Sequence, residues 1–407
     1  MKYCKTLSTI GIVVCTMVPA GAENWSRFRG ENGTGVSDQT GVPTEWKASD
    51  PAWQIDLPGT GHSSPCIWGK SLFVTSATDE GQRRLLLSID ADTGVEKWRR
   101  ELALQSNPRH QKNSWATSSP ATDGTRVYVT FADEQSYIIG AWDFAGEQVW
   151  RVDLGEFEGI HGLGVSPIVV NGLVVVANDQ LGPSSIEAFD AMTGDRQWRT
   201  PRTSGSASYV TPVVSEVDGR PVLICVSITN GVSCLDLSNG MVQWETGELS
   251  HRTVASPVIS NGIVLATCGG GGQGKHLIGV DLHSTGDRSR VIFERRQRLP
   301  YVPTPVVWNN LAFLWGDSGV VSCLEMPSGR NLWTNRVDGN YSSSPICING
   351  HIFCVAENGV VTVIRADRDF ELLGRTPLGD PCHASPAVAN EHLYLRTFHR
   401  LIAIKAN

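Results

Sequence analysis

Nine side chains recur near one point of a repeated pattern: His62, Trp115, His161, Tyr209, His251, Arg252, Tyr301, Tyr341 and His383. Each stands a few residues ahead of a Ser-Pro or Thr-Pro pair. If those points converge on one axis, the rings and imidazoles form a funnel able to stack on a ligand or hydrogen-bond it. The plainer alternative is that they pack loops and plug a channel. Four of the nine are His, but direct coordination needs each nitrogen within about 2 Å of an ion. Histidines from repeats one, three, five and eight do not meet that closely across a wide channel, so no metal is expected. A second group, Arg109, His110, Lys112 and Asn113, lies in a long loop from Leu102 to Trp115. Long loops on a rigid scaffold often carry binding; a solvated insertion is the competing reading.

Other chemistry is excluded by type or spacing. Gly269 to His276 nearly spells a phosphate loop, but His276 replaces the Ser/Thr that would hold magnesium. The following Leu277 to Leu282 also reads as a strand, with no helix N-terminus to meet phosphate. Neither a nucleophile elbow nor HExxH occurs, so no catalytic residue is assigned. CxxC, CxxCH and adjacent cysteines are absent as well. Cys66, Cys225, Cys234, Cys268, Cys323, Cys347, Cys354 and Cys382 mostly alternate with apolar residues in predicted strands and read as buried thiols. If one bridge forms, it is expected between Cys225 and Cys234 across a Thr229-Asn230 turn. Arg288, Arg290, Arg295, Arg296 and Arg298 bracket one outer strand and read as a solvated edge that discourages strand pairing.

The elements that must position the funnel come from a repeat. In Ser166 to Trp198, short apolar runs rich in Val and Ile are separated by Asn171-Gly172 and by Asp190-Ala191-Met192-Thr193-Gly194. That pattern reads as four antiparallel strands joined by tight turns. Ser/Thr-Pro marks at Pro65, Pro120, Pro167, Pro212, Pro257, Pro305, Pro345 and Pro386 are separated by 55, 47, 45, 45, 48, 40 and 41 residues. Eight such units predict an all-β, eight-bladed β-propeller of four-stranded antiparallel blades. Pro suits an innermost edge strand, because it has no ladder donor to lose. Trp98, Trp150, Trp198, Trp244, Phe293 and Trp333 close successive blades, with Leu373 a weaker closer. The last copy ends at Leu401 to Ile404 after three strands. The Trp53 strand is therefore expected to supply the fourth and close the ring, pairing the N-terminal strand with the C-terminal blade.

The predicted domains are a signal peptide at 1–22, an N-terminal arm at 23–52 packing on the propeller, and the propeller at 53–407. Lys2 and Lys5, the apolar Leu7 to Val18 and the small Ala20-Gly21-Ala22 have the order of an export signal. Val14 before Cys15 is bulky for a lipid-anchor site. Lys2 and Lys5 are the only charges in that segment, so its removal takes the net charge from −7 to −9. That balance argues against a nucleic-acid partner. No later apolar run reaches the roughly 18 residues of a membrane span. The expected location is periplasmic or secreted.

Asp90-Ala91-Asp92-Thr93-Gly94-Val95-Glu96-Lys97-Trp98, preceded by Ser-Pro and a hairpin, resembles the pyrroloquinoline-quinone (PQQ)-type propeller repeat. A Trp-Asp propeller would need Asp after the closing Trp, where this chain has Arg99, Arg151, Arg199, Glu245 or Thr334. Trp25-Ser26-Arg27-Phe28-Arg29-Gly30 and Leu393-Tyr394-Leu395-Arg396-Thr397 look like an exported bacterial subgroup, BamB-like in kind. The resemblance implies two classes of role. One is a BamB-type binding or scaffold protein with a protein or peptide partner in the cell envelope. The other is a quinoprotein oxidoreductase of alcohols or sugars using PQQ with calcium. The larger quinoprotein class carries adjacent cysteines and a carboxylate/amide calcium site, which this chain does not match. The expectation is a non-catalytic propeller without a cofactor; carbohydrate binding by the aromatic funnel is a third reading.

Overall fold

The computed structural model describes residues 24–270, 273–285 and 290–407, with only the backbone of Gln273. The 1–22 segment with Cys15, and Arg288, lie outside the described residues. Eight sheets, each built on four antiparallel strands that are consecutive in seven of them, make eight blades. Their innermost strands are Cys66–Trp68, Ala121–Thr122, Ile168–Val170, Val213–Val217, Val258–Ser260, Val306–Trp308, Ile346–Ile348 and Ala387–Ala389. Each begins directly after a Ser/Thr-Pro pair. The second and third strands are buried on both faces, as in Ser71–Thr78 and Arg83–Asp90, whereas the outer strand Glu96–Ala103 alternates between half-buried and exposed. No helix among the described residues is long and apolar enough to cross a membrane.

The ring closes through Trp53–Asp56, which pairs antiparallel with Arg400–Lys405 and completes blade 8. Between neighbouring blades the outer-strand Trp acts as a staple. The indole N–H of Trp53 donates to Ala91 O of blade 1 at 3.0 Å, Trp98 to Phe144 O at 2.8 Å, Trp150 to Ala191 O at 3.0 Å and Trp198 to Leu237 O at 3.0 Å. Each ring lies over the glycine of the next blade's Asp-turn. A Cβ on Gly94 would stand 2.7 Å from the Trp53 ring, and one on Gly194 2.7 Å from the Trp150 ring. Both glycines also hold positive φ, 75° and 77°. The turn thus needs Gly for its backbone and again for the ring that covers it.

The Ser/Thr-Pro mark has its own physical basis. The backbone N–H of Ser64 donates to Ser119 Oγ (2.8 Å), Ser119 to Ser166 (2.9 Å), Ser166 to Thr211 (3.3 Å) and Thr211 to Ser256 (3.0 Å). Ser256 then donates to Thr304 (3.0 Å), Thr304 to Ser344 (3.0 Å), Ser344 to Ser385 (2.8 Å) and Ser385 back to Ser64 (3.0 Å). Eight hydroxyls therefore close a belt around the channel, one bond per blade boundary. Only Ser or Thr offers an acceptor on so short a stem.

The arm crosses the channel on the hairpin-turn side. Arg27 Nη2 donates to Pro212 O (2.6 Å) of blade 4, and Arg29 reaches Thr304 O and Pro305 O of blade 6 (2.8 Å each). Val36–Ser37 then adds a parallel fifth strand to the inner edge of blade 7. Burial drops both guanidinium pKa values to about 9. The two side chains act as struts, and Phe28 between them lines the cavity above.

The cysteines match the reading as buried thiols, while the expected bridge and one strand boundary differ. All eight cysteines of the described residues are free and buried. Cys225 lies opposite Ser233 and Cys234 opposite Ile224, so the two thiols project to opposite faces of the sheet and cannot bridge. The third strand of blade 5 starts earlier than Leu277, spanning Gln273–Asp281.

Candidate functional site

Strand alternation decides what faces the channel. Counting back from each conserved-in-repeat Pro, the first residue is the belt hydroxyl. The third is His62, Thr117, Gly164, Tyr209, Val254, Val302, Ser342 or His383, and all eight line one cavity of about 640 Å³ with the belt as its base. The second and fourth residues mostly point into the blade, as period-two geometry favours; Tyr301, fourth before Pro305, is an exception and lines the cavity.

This register accounts for His62, Tyr209, His383 and Tyr341 among the candidates; the others are placed by the loops that carry them. His62, His161, Tyr209, Arg252, Tyr301 and His383 line the cavity, as do His110, Lys112 and Asn113 from the long loop. Tyr341 does not: it stands fourth before Pro345, is fully buried, packs against Trp315 (centroids 5.3 Å) and donates its hydroxyl to Asp338 O at 2.8 Å. His251 turns away and packs against Gly274 of the blade 5 hairpin. Trp115 donates to Asn107 O at 2.9 Å and carries the Arg109 guanidinium 4.1 Å from its ring centroid, so that pair braces the loop from behind. Phe28, Lys275, Asp317, Ser318 and Asn340 also line the cavity without having been singled out by sequence. Phe28 and Lys275 come from segments with no fixed offset to the Pro marks, which is why the repeat does not reveal them.

The long loop straps the mouth. Asn113 Nδ2 donates to His161 O of the blade 2–3 connection at 2.6 Å, while Lys112 Nζ meets Glu357 Oε1 of blade 7 at 2.7 Å. Lys112 O accepts from His383 Nδ1 at 3.1 Å. On one wall His62 packs against His383 and Phe398, with centroids 4.6 and 4.7 Å apart. On the other, His161 lies edge-on to His110 (5.1 Å), near Tyr209 (6.2 Å), with Nε2 against the Arg252 guanidinium. Lys275 Nζ pairs with Asp317 Oδ2 at 2.6 Å, and Asp317 also accepts the Tyr301 and Val302 N–H groups.

Electrostatics follow from burial. Burial first, then His383, Arg396 and Arg109, holds the His62 imidazole well below its usual range. Burial, Arg252 and His110 lower His161, and burial lowers His383 against the opposing pull of Glu357. Burial would raise Glu357, but bonds from Lys112 and Ser342 bring it below the ordinary carboxylate range. Imidazoles kept neutral in the fold and free to protonate when unfolded make stability fall as pH drops below the unfolded value near 6.5. Above that pH the contribution is constant. For buried His62 alone the expected slope approaches about 1.4 kcal/mol per pH unit. Urea midpoints at pH 7.5 and 5.5 test this, and His62→Gln is expected to flatten the difference.

The donor set does not suit a calcium–quinone pair. Asp317 is the sole carboxylate among the lining residues and is already engaged. No group of three or more His, Cys, Asp and Glu among the described residues could hold a metal ion.

A family profile described as outer membrane protein assembly factor BamB matches residues 30–139, 85–303 and 299–370, which is most of the chain. The chain belongs to this BamB family. BamB of Yersinia pestis is 24% identical over 301 residues, 67% of this chain and 70% of that protein. BamB of Escherichia coli strain K12 is 26% identical over 123 residues, 29% of each. The chain spans 58% of BamB from Moranella endobia, at 21% identity. The crystal structure of BamB from Moraxella catarrhalis superposes with a TM-score of 0.61 at 14% identity, covering 87% of this chain and 96% of that one. The computationally designed Ika8 protein reaches 0.63 at 12% identity, covering 88% and 100%. A designed ring fits as well as a natural BamB, so these superpositions speak for the fold alone.

Proposed function

We propose that this protein is an exported, non-catalytic propeller that binds a protein or peptide partner in the cell envelope, in the assembly of outer-membrane proteins, with the strapped cavity as its binding site. The family match over most of the chain carries this reading. The residues 1–22 support export: a short basic start, an apolar middle and a small-residue site. The cavity wall supports holding over reacting. Its ionic side chains Lys112 and Lys275 are tied into pairs with Glu357 and Asp317, and its histidines lie against other rings or Arg252.

A photo-crosslinking side chain at Thr117, which lines the cavity, tests it in envelope extract. The expected result is a discrete adduct with an outer-membrane assembly component, absent when the probe sits at Val95 on the far hairpin side. In parallel, PQQ with calcium is expected to yield neither a stoichiometric chromophore nor dye reduction with alcohols or sugars. Turnover in that assay overturns the reading in favour of a quinoprotein oxidoreductase.

A further inference from the structure

We propose that the channel-mouth cavity contains a carboxylate-binding subsite anchored on Arg252. The inference rests on the reading of the cavity as a binding site and names the ligand chemistry it selects. Three cations line the cavity, Lys112, Arg252 and Lys275. Two are neutralised within the protein, Lys112 by Glu357 at 2.7 Å and Lys275 by Asp317 at 2.6 Å. Arg252 has no carboxylate at ion-pair distance among the described residues. Its guanidinium rests against His161 Nε2, and burial together with Arg252 itself keeps that imidazole from carrying a charge. The other side-chain hydrogen bond of Arg252 goes to the Tyr301 hydroxyl, so both partners are neutral, and a planar fork of five donors still has N–H groups left for a carboxylate.

The surroundings complete the recognition. Tyr209 and Tyr301 flank Arg252. Burial, partly offset by Arg252, pushes the Tyr209 phenol up to about 12 and raises Tyr301 in the same way, so both are neutral. Below them the belt hydroxyls of Thr211 and Ser256 each accept a backbone N–H and keep their own proton for a ligand. One uncompensated cation matches a single negative charge. A phosphate dianion would need a second free cation, and the described residues of the wall supply none. Across the cavity, the neutral His62 and His383 rings, set edge-to-face at 61°, offer an aromatic wall for the body of a ligand, and about 640 Å³ exceeds the needs of a bare anion. The ligand class is therefore a monocarboxylate with an apolar or planar body, supplied by a peptide C-terminus or by a small organic acid.

Calorimetric titration of the purified protein separates the sources and tests the site. The probes are benzoate, N-acetyl-Ala-Ala-Leu with a free C-terminal carboxylate, and the same peptide as its amide. The expected result is that at least one free acid binds, that the peptide amide binds about tenfold more weakly than the peptide acid if the peptide is the source, and that Arg252→Gln weakens binding about tenfold. Arg252→Lys, which keeps the charge but loses the fork, is expected to recover only part of it. Binding of benzoate alone assigns the subsite to small acids and supports it equally. Far-UV circular dichroism and thermal midpoints of both variants confirm that the fold persists. Equal affinity of acid and amide, no binding of any probe, or binding unchanged in Arg252→Gln overturns the proposal. If the Thr117 crosslink to an envelope partner still forms in that case, the scaffold reading survives and only the carboxylate inference falls.

Discussion

Trp150→Ala is expected to destabilise the protein by about 3–5 kcal/mol, the range for deleting a large buried ring. Trp150 sits on the outer strand Gln148–Asp153 of blade 2, 8% exposed, where the pairing with the third strand slips by one residue beside it. That bulge turns the ring out of the sheet and onto blade 3. There it covers Gly194, packs 5.9 Å from Tyr128 and donates to Ala191 O at 3.0 Å. Truncation opens a gap between two blades that the rigid neighbouring sheets cannot close. Trp150→Phe keeps most of the apolar contact and loses the N–H, so a cost nearer 1 kcal/mol is expected from the hydrogen bond, with a smaller packing loss. Gly194→Val attacks the same joint from the other side, through its φ of 77° and the ring 2.7 Å from a Cβ. Because both changes touch one contact, the double variant Trp150→Ala/Gly194→Val should cost less than the sum of its parts. Urea midpoints of the parent and the four variants check the order. A Trp150→Ala midpoint within error of the parent would remove the staple as a source of ring stability.

The ring itself was legible because its determinants are local and repeat eight times. Ser/Thr-Pro, Asn-Gly and Asp-x-x-Thr-Gly each fix a backbone geometry within a few residues, and the widowed Trp53 strand announced how the circle closes. The cavity is only partly legible, since side-chain type alone does not give register. His62, Tyr209 and His383 lie three positions before the Pro and face the channel; Tyr341 lies four before it and is buried, though the residue type is the same as Tyr209. Thr117, Val254, Val302 and Ser342 carry no chemistry that draws notice in the sequence, yet the odd offset places them on the wall. The belt of hydroxyls showed as a repeated letter, but its bonds join residues 40 to 55 positions apart, with one of 321 closing the circle. Long-range contacts of that kind leave no trace in local pattern. The same holds for Lys112 reaching Glu357 across 245 residues.

Arg29→Ala is expected to cost about 3 kcal/mol and to release the arm. Arg29 is fully buried and has no carboxylate partner among the described residues; three backbone carbonyls, Thr304 O and Pro305 O at 2.8 Å and Thr34 O at 3.0 Å, take its protons. Burial lowers its pKa to about 9, still above neutrality, so the side chain remains a cation held by dipoles. Removing it leaves those carbonyls without their donor, at roughly 1–3 kcal/mol for a buried unsatisfied group, and opens a cavity beside them. Arg29→Met refills the volume but not the bonds, so it should recover the packing share alone. A purely steric role predicts full rescue by Met, and an electrostatic one predicts little. The consequence extends to the site, because Arg27 and Arg29 hold Phe28 under the belt and Val36–Ser37 on blade 7. Freed of its strut, the arm should become cleavable by trypsin at Arg27 under conditions where the parent resists. Mass spectrometry of the digest identifies that cut. Continued resistance at Arg27 in Arg29→Ala, with an unchanged urea midpoint, would mean that the Val36–Ser37 strand secures the arm without help from the buried guanidinium.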